Sequence, residues 1–196
     1  MPLITTLSGS PSPSSRSRLL SVWVGAWLGK KGFDVHALDV RDLPAADLFE
    51  ARVDGPEVKR AVQAVADAHG VVISTPVYKA AYPGVLKAFL DLLPQLGLTG
   101  KIVLPLAVGG SLAHVLAIDY AMRPILSSLN ALHITGGLFF LDKQLERTED
   151  GGLRIEQAMS EKLELLLQSF ADSVRMRANE TPAVEAPPAS IVTKVS

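Results

Sequence analysis

Between Ser8 and Arg18 the chain reads Ser-Gly-Ser-Pro-Ser-Pro-Ser-Ser-Arg-Ser-Arg, so hydroxyl and guanidinium groups crowd just ahead of a helical pattern. A helix start offers unpaired N–H groups and the positive end of a dipole. The serine hydroxyls add donors, and Arg16 or Arg18 adds a charged fork. Together these suit one phosphate group. The stretch has neither the Gly-Lys-Ser/Thr ending of a nucleoside-triphosphate loop nor the G-x-G-x-x-G pattern of a dinucleotide loop, which makes a single monoester phosphate the better match. Taken alone, the same residues describe a flexible Ser/Pro segment with one serine capping the helix. Position along the chain has to decide between the two.

Two further loops carry chemistry. The apolar run Val71–Thr75 stops at Pro76 and is followed by Val77, Tyr78 and Lys79 before a helix re-enters at Pro83. A Pro-x-Tyr loop presents backbone and an aromatic face, which suits a flat, mostly apolar ring, although ordinary turns have the same make-up. Val108-Gly109-Gly110-Ser111 follows the next apolar run. Paired glycines let backbone come close to a ring edge and offer N–H groups to its carbonyl oxygens. A tight turn needs the same glycines. His114 serves equally as a helix cap or as a contact to that edge.

The elements that must position these loops are legible as alternating patterns. Strands are expected at Leu3–Leu7, Phe33–Val40, Gly70–Thr75, Lys101–Val108 and Leu132–Leu141. Helices are expected over Ser17–Lys31, Pro56–Ala68, Pro83–Leu93, Leu112–Asn130 and Leu153–Met176, with polar connections at Arg41–Gly55 and Asp142–Gly152. Continuous apolar strands are buried on both faces, which implies a parallel sheet with helices on both sides. Five β-α steps suit an α/β, flavodoxin-like, five-stranded sheet of order 2-1-3-4-5. In that order the loops after strands one and three face each other across the switch point. One would grip a phosphate and the other would meet a flat ring, and flavin mononucleotide (FMN) has both parts. The apolar stretch after Leu112 needs a second buried face, hence a subunit contact, and Pro124 should distort the turn before it.

Composition narrows the class. The 196 residues form one domain, read as 1–177, with a Pro-rich, small-residue tail over 178–196 that reads as disordered. There is no cysteine, which removes disulfides, thiol catalysis and Cys-held metals; no metal is expected. A formal charge of -1 makes no case for nucleic acid or an anionic membrane. No apolar run is long enough for a membrane span and no secretory leader is evident, so a cytoplasmic location is expected.

With those residues assembled, the chain resembles the NADPH-dependent FMN reductase family. Its loop pattern P-x-Y-N-G-S-x-P-G-x-L-K-N is met by Pro76, Tyr78, Pro83, Gly84, Leu86 and Lys87, with departures at Lys79, Ala80, Ala81 and Ala88. Those departures resemble one subgroup, the FMN reductases of two-component alkanesulfonate monooxygenase systems. Pro76–Tyr82 matches its P-V-Y-K-A-A-Y. Gly109, Gly110, Ala113, His114, Leu116, Ala117, Asp119, Tyr120 and Ala121 match its G-G-x-x-A-H-x-L-A-x-D-Y-A. The resemblance covers roughly Leu3–Leu141. The family's arginine shortly after the Gly-Ser of the phosphate loop is absent, Ser12 standing there, and either Arg16 or Arg18 would substitute for it.

The resemblance implies hydride transfer from NADPH, or NADH, to FMN, with the cofactors carrying the chemistry and no acid–base residue required. By the same resemblance Ser10, Ser15, Arg16 and Ser17 would hold the phosphate, Tyr78, with Pro76, Val77 and Lys79, would wall the flavin ring, and Gly109, Gly110, Ser111 and His114 would meet its polar edge. Tyr120 would lie in a π-type insertion at a homotetramer interface, near a partner's flavin site. Flavin would leave reduced, for a partner alkanesulfonate monooxygenase in sulfur acquisition, met transiently or served by diffusing flavin. A quinone or azo reductase and an FMN-holding electron carrier are the alternatives; near-neutral charge speaks against the carrier, which usually has an acidic surface.

Overall fold

Strand β1 (Leu3–Ser8) runs into the interior, buried from its second residue on. Helix α1 (Arg16–Lys30) returns over it, and β2 (Asp34–Asp39) pairs beside it in parallel. A short helix, α2 (Ala45–Phe49), and the longer α3 (Pro56–Asp67) lead to β3 (Gly70–Pro76), every residue of which is buried. Then come α4 (Gly84–Leu90) and β4 (Ile102–Gly109). Beyond β4 lie a 3-10 turn at Leu112–His114, a π turn at Ile118–Met122 and α5 (Arg123–Ser128). The chain continues as β5 (His133–Ile134), β6 (Leu138–Leu141), the hairpin strands β7 (Leu145–Arg147) and β8 (Leu153–Ile155), and α6 (Gln157–Glu180). This computed structural model describes residues 1–180.

The main sheet is parallel, in the order β2-β1-β3-β4-β5, the flavodoxin-like arrangement expected. Alternation along each strand feeds two cores. From β3, Val71 and Ile73 join Val65 of α3, Phe89 of α4 and Leu126 of α5 on one face. Val72 points the other way, to Val24 of α1 and Leu163 and Phe170 of α6. Burying a side chain such as Phe89 or Phe170 contributes about 1.5–3 kcal/mol relative to leaving it in water. Lys101, at the entrance to β4, closes the end of α3 by donating from Nζ to the Ala66 and Ala68 carbonyls.

The fifth strand position is filled differently from the expectation of one run over Leu132–Leu141. Two short segments, β5 and β6, both pair with β4, at Ile102–Val103 and at Leu106–Gly109. The cause is Pro105. Ile102 donates its N–H to His69 on the β3 side, and the Val103 carbonyl accepts from Thr135 on the other. Pro105, two residues after Val103, therefore faces the fifth position, where it has no N–H to offer. The ladder breaks there and resumes at Leu138.

The helix expected over Leu112–Asn130 is likewise interrupted. Pro124 has no N–H for the Tyr120 carbonyl and its ring crowds that carbonyl, and the π turn Ile118–Met122 sits at this point. The expected distortion is thus present, with Tyr120 inside it. The polar stretch Asp142–Gly152 is a 3-10 turn and half a hairpin, because Leu145–Arg147 pairs antiparallel with Leu153–Ile155. The last helix consequently starts at Gln157, not Leu153, and α4 stops at Leu90. The connection Arg41–Gly55 holds α2. Of the expected tail, residues 178–180 continue α6, and the rest lies outside the described residues.

Candidate functional site

The loop after β1 is built by its own serines. Ser10 is fully buried, and its Oγ accepts from the Ser12 N–H at 3.1 Å, turning the chain back on itself. Ser15 takes the N-cap position of α1, and its Oγ lies 2.7 Å from Ser17 Oγ. Two bonds tie this loop to the end of β3: Gly9 N–H donates to the Ser74 carbonyl at 2.9 Å, and buried Ser74 Oγ donates to the Ser17 carbonyl at 2.7 Å. The first turn of α1, with its free N–H groups, is thereby held beside the β3 exit.

The exit from β3 is equally constrained. Val77 N–H donates to the Val108 carbonyl at 2.8 Å, keeping this loop against the end of β4. Tyr78 and Ala81 exchange backbone bonds at 2.8 and 3.2 Å around Lys79 and Ala80, whose φ values are +51° and +67°. Two central residues with positive φ make a type I′ turn, which Asn-Gly fills with least strain. Here a lysine and an alanine hold it. The turn leaves the Tyr78 ring half-exposed.

These loops enclose a cleft of ≈ 200 Å³. Ser12, Ser14, Ser15, Arg16 and Ser17 line it from the α1 side, and Pro76, Val77 and Tyr78 from the β3 exit. Val108, Gly109 and Gly110 close the β4 side, and Asp142 enters from the end of β6. Gly109 has no room for a side chain, since a Cβ there would stand 2.8 Å from the Phe139 ring. The wall is therefore bare backbone at that point. Arg16 Nε donates to the Leu145 carbonyl at 2.9 Å, and its guanidinium stands 3.9 Å from the Asp142 carboxylate. Arg18 is elsewhere: it pairs with Asp39 beside a separate cleft of ≈ 180 Å³ between β1, β2 and α1. Of the two arginines, Arg16 is the one on the loop cleft.

The remaining sequence-predicted residues lie around this cleft and not on it. Ser10 sits beneath the loop it shapes, and Lys79 is exposed on the turn. Ser111 Oγ accepts from Ala113 N–H at 3.1 Å and borders an adjoining cleft of ≈ 430 Å³, which shares Gly110 and Asp142 with the first. His114 is half-buried in the 3-10 turn and lines neither cleft. Tyr120 is 79% exposed on the π turn, with Leu112 and Leu116 also exposed nearby along the chain. Tyr82, beyond the turn, has its phenol pushed up by burial, partly offset by Lys87. Ser12, Ser14, Val108 and Asp142 were not among the residues expected from the sequence. The signal for Asp142 is its place directly after a sheet strand, at the carboxyl end where α/β sheets bind ligands.

Chemically the cleft offers hydroxyl and backbone donors with one guanidinium at one end, and an aromatic face with bare backbone at the other. Among the described residues no cluster of His, Asp or Glu could hold a metal, and no helix is long and apolar enough to cross a membrane.

The family model described as NADPH-dependent FMN reductase matches residues 2–146. An FMN reductase (NADPH) of Pseudomonas putida (strain KT2440) is 46% identical over 169 residues, covering 86% of each chain. An FMN reductase (NADPH) of Escherichia coli (strain K12) is 44% identical over 142 residues, covering 72% of this chain and 74% of that one. Among solved structures, the apo form of the NADH:FMN oxidoreductase EMOB superposes with a TM-score of 0.80 at 37% identity, covering 88% of this chain and 90% of that one.

Proposed function

This chain belongs to the NADPH-dependent FMN reductase family, and on that premise we propose that it takes FMN as an exchangeable substrate and releases it reduced to a partner monooxygenase. It is an NAD(P)H-dependent FMN reductase; its relatives include enzymes named for NADPH and for NADH. The observation that carries the reading is the meeting of the α1 start, the Tyr78 turn and the Gly109–Gly110 backbone in one cleft. Ser15, Ser17, Arg16 and the first N–H groups of α1 would hold the phosphate. Tyr78 and the glycine backbone would border the ring. When bound, FMN supplies the ring that accepts a hydride from the reduced nicotinamide.

The chain's own contribution is placement and the exclusion of side chains from the ring's approach. No side chain need carry a proton, since the orientation of two flat rings is what accelerates the transfer. The cleft measures ≈ 200 Å³. Pockets that enclose a whole ligand of this class run to about 300–1,000 Å³, so the ring would keep an open face for the hydride donor. The exposed Leu112, Leu116 and Tyr120 stripe supports self-association, read as a homotetramer in which Tyr120 approaches a partner's flavin site. Residues 1–177 would form the reductase domain, working in the cytoplasm where reduced nicotinamide is available. The subgroup motifs at Pro76–Tyr82 and Gly109–Ala121 favour an alkanesulfonate monooxygenase as recipient, in sulfur acquisition.

Steady-state oxidation of NADPH and NADH with excess FMN, FAD or riboflavin tests this reading. Turnover should be multiple and fastest with FMN. Absence of turnover with either nicotinamide would refute the exchange reading, as would a protein that stays fully yellow after desalting. Tyr120→Ala should loosen the assembly in analytical ultracentrifugation; an unchanged tetramer with unchanged flavin affinity would remove that role.

A further inference from the structure

The cleft read as a phosphate site contains a carboxylate. Asp142 lines it together with Arg16 and the serines of the α1 start, and its Oδ1 lies 3.9 Å from the Arg16 guanidinium. Arg16 is further committed through Nε, which donates to the Leu145 carbonyl. Arg18 cannot help, because Asp39 holds it. A site built for tight retention of a dianion presents cations and donors alone. Here the one guanidinium that lines the cleft among the described residues is shared with a carboxylate that also repels the ligand.

We propose that Asp142 is a release-setting residue: it competes with the flavin phosphate for Arg16 and so keeps FMN exchangeable. The inference rests on the FMN reductase reading of this cleft. Both side chains are about half-exposed, 43% for Arg16 and 49% for Asp142, so solvent screens the pair and the effect stays moderate. A single negative charge sharing such a half-wetted cleft with a phosphate dianion changes its affinity about tenfold. No bond is made or broken by Asp142; it acts on binding and on product departure.

The test is flavin titration of wild type, Asp142→Asn and Asp142→Glu, read by quenching of flavin fluorescence. Riboflavin, which lacks the phosphate, is the control ligand. Asp142→Asn should bind FMN about tenfold more tightly, with riboflavin affinity unchanged. The gain should shrink in about 0.5 M salt, where exposed charges are screened. Asp142→Glu keeps the charge and should behave as wild type, which separates the electrostatic effect from a packing effect. Equal FMN affinity in wild type and Asp142→Asn would overturn the inference, and so would a gain of the same size for riboflavin. In both of those outcomes wild type still turns over FMN, so the reductase reading survives. A wild-type protein that neither binds nor reduces FMN would remove both.

Discussion

The Tyr78–Ala81 turn is a place where strain can be measured directly. Lys79 and Ala80 sit at φ +51° and +67°, in the left-handed region that favours glycine and asparagine. A side chain in that region costs roughly 1–2 kcal/mol per residue. Replacing Ala80 with glycine recovers that strain, but the freer unfolded chain takes back about 0.4–1 kcal/mol. The balance for Ala80→Gly is a stabilisation of about 0.5–1 kcal/mol. Lys79→Asn should add about 0.5 kcal/mol, since asparagine tolerates the left-handed region better than lysine. The two positions are adjacent, so the double variant need not show their sum. For a chain of this size, 1 kcal/mol moves the melting midpoint by about 2–4 °C. Urea unfolding followed by the fluorescence of Trp23 and Trp27, which pack on the α1 side of the sheet, reads the change independently. FMN turnover should persist, because the substitutions keep the backbone that presents Tyr78. A midpoint unchanged or lowered in both single variants would refute the argument that these positive φ values are held against resistance.

Arg16→Gln should raise the KM for FMN about tenfold through loss of a charged phosphate contact, while Arg18→Gln, away from the cleft, should leave it within twofold; equal effects would contradict the placement of the two arginines. Gly109→Ala should destabilise by about 1–3 kcal/mol, because its Cβ would stand 2.8 Å from the Phe139 ring, and thermal unfolding measures this. Burial lowers the pKa of Lys101 from its ordinary value, with Asp67 opposing. Between that lowered folded-state pKa and the unfolded value near 10.4, the unfolded chain binds more protons, so this group's contribution to stability rises with pH. Denaturant titrations from about pH 8 to 10.5 should show wild type gaining on Lys101→Met; a constant difference would refute it.

How much of this was legible in the sequence depends on the range of the interaction that decides each feature. The apolar strands and their order were legible, because strands buried on both faces read as continuous runs. The serine-rich loop after β1 and the Pro76–Tyr78 exit were legible as motifs at the ends of strands. Even the distorted turn before Pro124 could be read, since a missing N–H acts four residues away. Pro105 carried the same kind of signal, but its effect falls on the strand next door, and only the pairing shows which neighbour that is. The β7–β8 hairpin was hidden by a polar loop, because strands of three residues leave no periodicity to read.

The sequence by itself determined the sheet, the three loops and the family resemblance, all of which depend on local pattern and spacing. Tertiary structure decided which arginine serves the cleft. Arg16 and Arg18 are two residues apart on a helix, so they point about 200° apart around its axis. One therefore reaches Asp142 and the Leu145 carbonyl, and the other reaches Asp39. It also decided that Asp142, far from Arg16 in the chain, stands in the same cleft. That requires β6 to lie beside β4, and parallel pairing of those two strands places it there.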